Sequence, residues 1–427
     1  MTYTEKAREI PVFGSYDVLV AGAGPAGVSA AIAAGRQGAR VLLLDSGGRV
    51  GGISTAGMMS HFTGTVGNKL YAEILRRAAE KYPFDKDPKQ VCIDPELLTV
   101  TYYEMLEEAG VAVCLYTFVS DVIMENDRVT GVICESKSGR GAYLAKVIVD
   151  ATGDGDVAYK AGTGFTLGRE SDHRMQPATL MFKVGGVDME RAVFPESFET
   201  LVPTEKGELQ ALARKLLPAP AGHVLLYRSP IPGVVTCNMT NATEIDGTKA
   251  EDLTRAEMTC RKQLLPILDF LREYVPGYEK CYLLGAASLI GVRETRHFKG
   301  VKTLTEEDIQ KAWEFPDWVV YGAHFNFDVH NLTGAGLDET GCQKHFTQEK
   351  GYTIPYGCLV PEKVDGLLLS GRNISGTHMA HSNFRVMPIC VGTGWAAGTA
   401  AAIAVRENIS PRGVEVKEIQ AAEAREA

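Results

Sequence analysis

Apolar and polar positions along this chain alternate in blocks that predict an α/β protein. Tyr16–Ala21 is a short apolar run. A glycine-rich turn follows, then an Ala-rich helical stretch from Val28 to Gln37, stopped by Gly38. A second apolar run, Arg40–Leu44, ends in Asp45. Lys69–Lys81 and Pro95–Ala109 carry the 3.6-residue spacing of amphipathic helices. Val111–Asp150 reads as a three-stranded meander whose first strand is Leu115–Val119, with turns at Glu125-Asn126-Asp127 and Lys137-Ser138-Gly139. From Gly168 to about Ile354 the texture changes. Short strands (Pro177–Val184, Val234–Met239, Cys281–Leu284) alternate there with polar helices (Glu208–Leu216, Lys249–Tyr274). A last apolar run, Gly366–Leu369, precedes an Ala-rich helix expected to start at Val391.

Composition narrows the function classes. The 427 residues are 45% hydrophobic, which excludes a disordered glycine tract despite 45 Gly. Lys and Arg total 44 against 53 Asp and Glu, a net charge of −9, with no basic run, so no nucleic-acid footprint is expected. The nine cysteines include no C-x-x-C, so iron–sulfur and zinc spacings are absent and reduced thiols in a cytoplasmic protein are expected. The start mixes Lys6 and Arg8 with Glu5 and Glu9, unlike a signal peptide. Val18–Ala34 is apolar but holds Pro25 and several Gly, so it reads as strand, turn and helix instead of a membrane span.

Gly22-Ala23-Gly24-Pro25-Ala26-Gly27 joins the first strand to the first helix. Gly22 permits the turn, Gly24 lets backbone approach a pyrophosphate, and Gly27 lets helix and strand pack closely. Amides at the helix N-terminus then face the diphosphate. Asp45, ending the second strand, suits both ribose hydroxyls of an adenosine. The ligand is therefore FAD or NAD, and an acid at this position disfavours a 2′-phosphate.

The residues after Asp45 choose between them. Ser46 to Gly57 includes Arg49, Gly51, Gly52 and Ser54, and it resembles the second glycine motif of flavoproteins with the glutathione-reductase-type FAD fold. Ile53 replaces that motif's second Arg, and Ala56 its final hydroxyl residue. Ala151-Thr152-Gly153-Asp154 resembles the segment that closes over the cofactor. Gly371, Arg372, Gly392, Gly394 and Ala396 resemble the third FAD segment, whose helix N-terminus faces the flavin pyrimidine. The same resemblance places Val119 backbone groups near adenine. With the stretches RMQPATLMFKVGGVD, GVRETRHFKGVKTLTEEDI and YTIPYGCLVPEKVDGLLLSGRNISGTHMAHSNFRVMP, the chain resembles FAD-dependent oxidoreductases related to the flavin subunit of heterodisulfide reductase.

That resemblance implies a Rossmann-like FAD-binding domain, a three-layer parallel sheet plus β-meander, split over 14–168 and 355–410. An inserted α+β substrate domain would occupy 169–354. No second nucleotide motif is present, so a built-in NAD(P)H domain is not expected. FAD would be the cofactor, a small polar molecule the substrate, and an unidentified donor or acceptor the redox partner. No membrane span is expected, and oligomeric state stays open, a homo-oligomer included. Candidate catalytic groups are Arg385, His378 and His381, in the loop between the last FAD strand and helix. Arg293, with Arg296, could clamp a carboxylate or the cofactor, or Arg293 could pair with Glu294. His324, Asn326, Asp328 and His330 would share one face of a strand. Polar lining is read there ahead of a metal site, and no metal is expected. Ser60 and His61 are placed facing the flavin. The alternatives are a flavin-bearing electron-transfer subunit with a redox partner protein, and a non-redox enzyme like thiamine thiazole synthase. The latter needs a reactive Cys in its own motif, which is not found.

Overall fold

The computed structural model describes residues 2–59, 61–82, 93–341 and 350–425. Ser60, Cys92 and Cys342 fall outside that description.

The main sheet is built on β1 (Val12–Ala21), with β2 (Val41–Leu44) and then β3 (Ala112–Cys114) on one side and β6 (Gly139–Asp150) on the other, all parallel. On its other edge β6 serves two further partners. Its first half pairs antiparallel with β5 (Arg128–Ser136), which pairs with β4 (Phe118–Glu125). Its last residues pair parallel with β17 (Leu367–Leu369). The meander is therefore β4–β5–β6, and β3 belongs to the parallel layer, which corrects the assignment of all of 111–150 to one meander. The register is Ala21 beside Leu44 and Asp150, and Asp150 beside Leu369. Gly22, Asp45, Ala151 and Ser370 thus leave the sheet side by side at the carboxyl ends of parallel strands, where ligands bind in such sheets.

Helix α1 spans Pro25–Arg36, three residues earlier than its apolar pattern suggested, because Pro25 fits the first helical position behind the N-cap Gly24. α2 (Lys69–Glu80) and α3 (Pro95–Glu108) follow the predicted ranges, capped by Asn68 and Asp94 side chains. α9 spans Met387–Glu407. It starts earlier than Val391, so Gly392, Gly394 and Ala396 are buried inside the helix, not at its N-terminus. Gly394 and Gly398 instead face α1: a Cβ there would lie 2.1 Å from the carbonyl oxygens of Ala26 and Ala30 respectively. α9 is long and apolar enough to cross a membrane, but 94% of its apolar window is buried inside the protein.

A second core lies around the sheet β11 (Leu226–Arg228), β12 (Val235–Cys237), β8 (Phe182–Gly185) and β13 (Tyr282–Ala286). It is covered by α5 (Leu209–Leu216) and α6 (Ala250–Tyr274), preceded by the hairpin β9 (Pro203–Thr204) and β10 (Gly207–Glu208). This core is narrower than 169–354. Phe298, Leu304, Phe315, Val320 and Phe327 pack into the first core. They come with β14 (Arg296–Phe298), which pairs with β7 (Phe165–Leu167), and with β15 (Trp318–Ala323), which pairs with β16 (Tyr352–Pro355). Short helices α4 (Asp156–Lys160), α7 (Glu306–Gln310) and α8 (His378–Phe384), and the terminal α10 (Val416–Arg425), complete the chain.

Gly394→Ala is expected to destabilise the protein by about 1–3 kcal/mol, since backbone must shift to admit the methyl. Gly413→Ala, which meets nothing within 4 Å, serves as the control. Paired thermal melts decide it; equal melting temperatures would count against the close helix contact.

Candidate active site

The first glycine turn is shaped by its neighbours. Gly22 has φ +94°, and a Cβ there would lie 2.4 Å from the Ala151 carbonyl oxygen. On Gly27 it would lie 1.8 Å from the Gly22 oxygen. Gly24 differs, because a Cβ there meets nothing within 4 Å. This open space lies at the N-terminus of α1, where a diphosphate would sit. The Asp45 carboxylate accepts the Ala23 amide at 2.6 Å and the Gly47 amide at 2.6 Å, tying the turn to the next loop. The Gly51 amide donates to the Ala23 oxygen at 2.6 Å, and Gly51 takes φ +99°. Ser54 is buried and donates to the Gly51 oxygen at 2.7 Å, so its hydroxyl supports the loop. Ser46 is exposed, and Arg49 pairs with Glu96 at 2.9 Å.

The other glycine segments meet this one. The Ala151 amide donates to Ala21 at 2.8 Å. Buried Asp150 accepts the Thr152 amide and hydroxyl, and its carboxyl is pushed up to about 6 by burial. A Cβ on Gly153 would touch the Arg372 guanidinium at 2.6 Å. Asp154 accepts from Arg372 at 3.0 Å and from Thr295 at 2.8 Å. Arg372 Nη1 is buried without a partner. Gly371 takes φ +83° and lies against Ala26, and its amide donates to Thr393. Thr117 donates its amide to the Asp45 oxygen at 2.9 Å, so the start of β4 returns beside Asp45; Val119 sits two residues on, opposite Cys134. The glycine turn, Asp45 and the unfilled space at Gly24 fit a dinucleotide. These residues would hold its adenosine and diphosphate, while Gly392, Gly394 and Ala396 act through helix packing.

Two buried ionic clusters lie beyond the glycine segments. In the first, the Glu294 carboxylate is fully buried and accepts His297 Nε2 at 2.8 Å, His378 Nδ1 at 2.5 Å and the Gln176 amide at 3.1 Å. Burial alone would raise this carboxyl. Hydrogen bonds from His297 and His378 hold it well below the usual carboxylate range. Burial opposes a proton on His378, but Glu294 wins and raises its pKa. His381 stacks edge-on against His297 at 4.8 Å and is pushed well down by burial and then by His297. Glu294, His297 and His378 bring their donor atoms within 4.8 Å of one another, a spacing open to a metal ion. However, His297 Nδ1 and His378 Nε2 have no partner. A ligating imidazole normally donates that second N–H to an acceptor, so hydrogen bonding accounts for this set better.

In the second cluster, Arg385 Nη2 donates to Asp328 Oδ2 at 2.9 Å and to the Asp328 carbonyl at 2.9 Å. His330 Nε2 lies 3.4 Å from the same Oδ2. Burial would raise the Asp328 carboxyl; His330, Arg385 and Arg293 hold it well below the usual range. His330 itself is pushed down to about 4 by burial, reinforced by Arg293. Arg293 donates to the Pro177 oxygen at 2.5 Å and to Thr179 at 2.8 Å. Arg296 turns instead to Asp156 at 3.0 Å and to the Asp154 oxygen. The two arginines therefore do not form one clamp, and Glu294 is the partner of histidines, not of Arg293.

No strand carries His324 to His330, since β15 ends at Ala323. His324 pairs through its backbone with Thr65, apart from the Asp328–His330 contact, so the expected common face is not formed. His61 is stacked on Tyr227 at 4.8 Å and is pushed down to about 4 by burial. Gln176, His223, Tyr227, His297 and Glu294's role as a hub were not foreseen. Only the Glu294/His297 spacing of three residues carried a signal.

Residues 17–422 match the family described as FAD dependent oxidoreductase. Thiamine thiazole synthase from Aeropyrum pernix is 34% identical over 149 residues, 32% of this chain and 54% of that protein. The matched part thus spans about half the length of that curated relative. A geranylgeranyl bacteriochlorophyll reductase-like protein from Thermoplasma acidophilum aligns over 96% of this chain and 83% of its own, at 14% identity and TM-score 0.48. The p-nitrophenol 4-monooxygenase of Pseudomonas putida aligns over 96% and 84%, at 13% identity and TM-score 0.49.

Two outcomes are expected. Gly24→Val should fold normally yet lose FAD affinity by tenfold or more, because its side chain enters open space reserved for phosphate; flavin absorbance per protein measures this. Glu294→Gln should flatten the pH dependence of stability. The lowered Glu294 carboxyl stabilises above its unfolded value of about 4.3, and this is lost as pH falls. The raised His378 stabilises below about 6.5, and this is lost as pH rises through its folded value. Melts from about pH 2 to 9 should show both limbs in the native protein, the Glu294 limb below about pH 4.3 and the His378 limb above about pH 6.5, and neither in the variant.

Proposed function

We propose a reaction for this chain on one premise: it belongs to the FAD dependent oxidoreductase family, and its cofactor is FAD. The reaction is hydride transfer between a carbon of a small polar substrate and the flavin, coupled to a proton transfer. Bound FAD supplies the hydride acceptor or donor at its N5 atom. The observation that carries the reading is the buried meeting of Arg385, Asp328 and His330. Arg385 immediately precedes Val386, the N-cap of α9, and α9 packs on α1 behind that loop.

Within this site each side chain has a task. Asp328 holds the Arg385 guanidinium through both its carboxylate and its backbone oxygen, so Arg385 is oriented before substrate arrives. His330, uncharged at neutral pH because burial lowers its pKa, takes the proton released when a substrate O–H becomes a carbonyl. The Glu294 cluster fixes α8 and the Gln176 segment around them. The extended phosphate loop, with Gly51 bonded to Ala23, supports a glutathione-reductase-type arrangement. Free thiols at the described cysteines accord with the cytoplasm as its compartment.

Anaerobic mixing of the yellow holoprotein with candidate substrates tests the reading through bleaching of the flavin band. Bleaching only by a reduced electron-transfer protein would favour the electron-transfer alternative. Arg385→Lys should keep FAD and lose about a hundredfold in kcat/KM, since an ammonium lacks the planar fork whose Nε stays unpaired and available while Nη2 is tied to Asp328. His330→Gln should lose about 10²–10⁴-fold in kcat. Native activity should stay level from neutral pH down and fall only as pH approaches the His330 value of about 4. Unchanged turnover in either variant would remove that residue from the mechanism.

A further inference from the structure

We infer that the substrate is a small hydroxy carboxylate, its carboxylate held between Arg293 and Arg385 and its hydroxyl directed to His330, beside the neutral acceptors of His223 and Asn238. This rests on the oxidoreductase reading of the same site.

The first argument is charge. Two guanidiniums, Arg293 and Arg385, influence one carboxylate, Asp328, and Arg385 is hydrogen-bonded to it. Arg293 is buried and bonds only to a carbonyl and a hydroxyl. No carboxylate pairs with it among the described residues. Burial and the neighbouring Arg385 push even this guanidinium down to about 10. The nearby acids are taken: Glu294 by two histidines, Asp154 by Arg372 and Thr295. His223 and His330 add no charge at neutral pH. One positive charge therefore remains buried and unanswered, a costly state unless a ligand brings the opposite charge.

The second argument is the set of unpaired polar atoms. Arg385 Nε and Gln176 Nε2 are buried N–H donors without partners. Gln176 is anchored by its Oε1, which accepts the His330 amide at 3.1 Å and faces Arg385 Nη2 at 3.5 Å. Planar donors beside a surplus cation match a carboxylate. Unpaired acceptors lie close to these donors, since Arg293 and His330 both act on His223. His223 Nε2 donates to the Asn238 carbonyl at 3.1 Å, which leaves Nδ1 as a bare lone pair without a partner. Asn238 Nδ2 donates to Tyr227 at 3.4 Å, leaving Oδ1 unpaired. His223 and His330 flank Phe198 edge-on at 4.9 Å each, so these acceptors stand next to the base. These acceptors are neutral and suit a hydroxyl beside them.

Binding is read without turnover, by titrating oxidised holoprotein and following the visible flavin band. The probes are glycolate, 2-hydroxybutyrate and mandelate, each against its amide, with acetate and butyrate as carboxylates lacking the hydroxyl. At least one hydroxy carboxylate should bind tenfold or more tightly than its amide and more tightly than its deoxy counterpart. In Arg293→Gln the carboxylate preference should vanish while FAD content and melting temperature are kept. Equal binding of acid and amide overturns the inference, as does binding by none of the probes. If Arg293→Gln does not fold, the acid–amide comparison on the native protein still decides. A hydroxy carboxylate that binds with this preference yet leaves the flavin oxidised anaerobically would sink the hydride reading and leave the ligand assignment standing.

Discussion

Two helices from opposite ends of the chain touch backbone to backbone, and the nucleotide-binding half of the molecule depends on that contact. Gly394 and Gly398 of α9 lie against the carbonyls of Ala26 and Ala30 of α1. The matched four-residue spacing on both helices makes one continuous seam. Alanine and glycine bury little apolar area each, but small side chains let the helices approach until dispersion contacts are dense. The same seam sets Gly371 against Ala26, so the last strand and the first helix meet at the phosphate loop. Burial of α9 on this seam also explains an apolarity that would otherwise suit a membrane.

The strand β6 makes the second joint. It is long enough to leave the meander at one end and enter the parallel sheet at the other. Its terminal Asp150 is fully buried, and three protein donors compensate it: the Thr152 amide and hydroxyl and the Ala158 amide. That local hydrogen bonding bends the chain into the Gly153–Asp154 turn. Asp154 then reaches Thr295 and Arg372, so a turn in the first half of the chain holds two later segments.

Beyond these joints, two carboxylates order the site. Glu294 collects donors from the segments around 176, 297 and 378, and Asp328 collects Arg385 and His330. In a dry interior each donor set offsets the cost of burying its carboxylate, and neither set tolerates a missing member. Each cluster thus ties together segments far apart in the sequence, and a few of its polar atoms are left unpaired.

Sequence alone determined the α/β texture, the phosphate turn, Asp45 and the ranges of α2, α3, α5 and α6. Those features are local: a glycine at a turn, a cap residue or a 3.6-residue period acts within a few positions of itself. The resemblance of its motifs also pointed to FAD. Tertiary structure alone decided which strand edge β3 joined, where α9 began, and that residues around 298–327 side with the first core. It also sent Arg293 and Arg296 in opposite directions and gave Glu294 to histidines 3 and 84 residues away. Such partners are set by long-range packing, and a buried charge takes whichever counter-group the fold brings within hydrogen-bond reach.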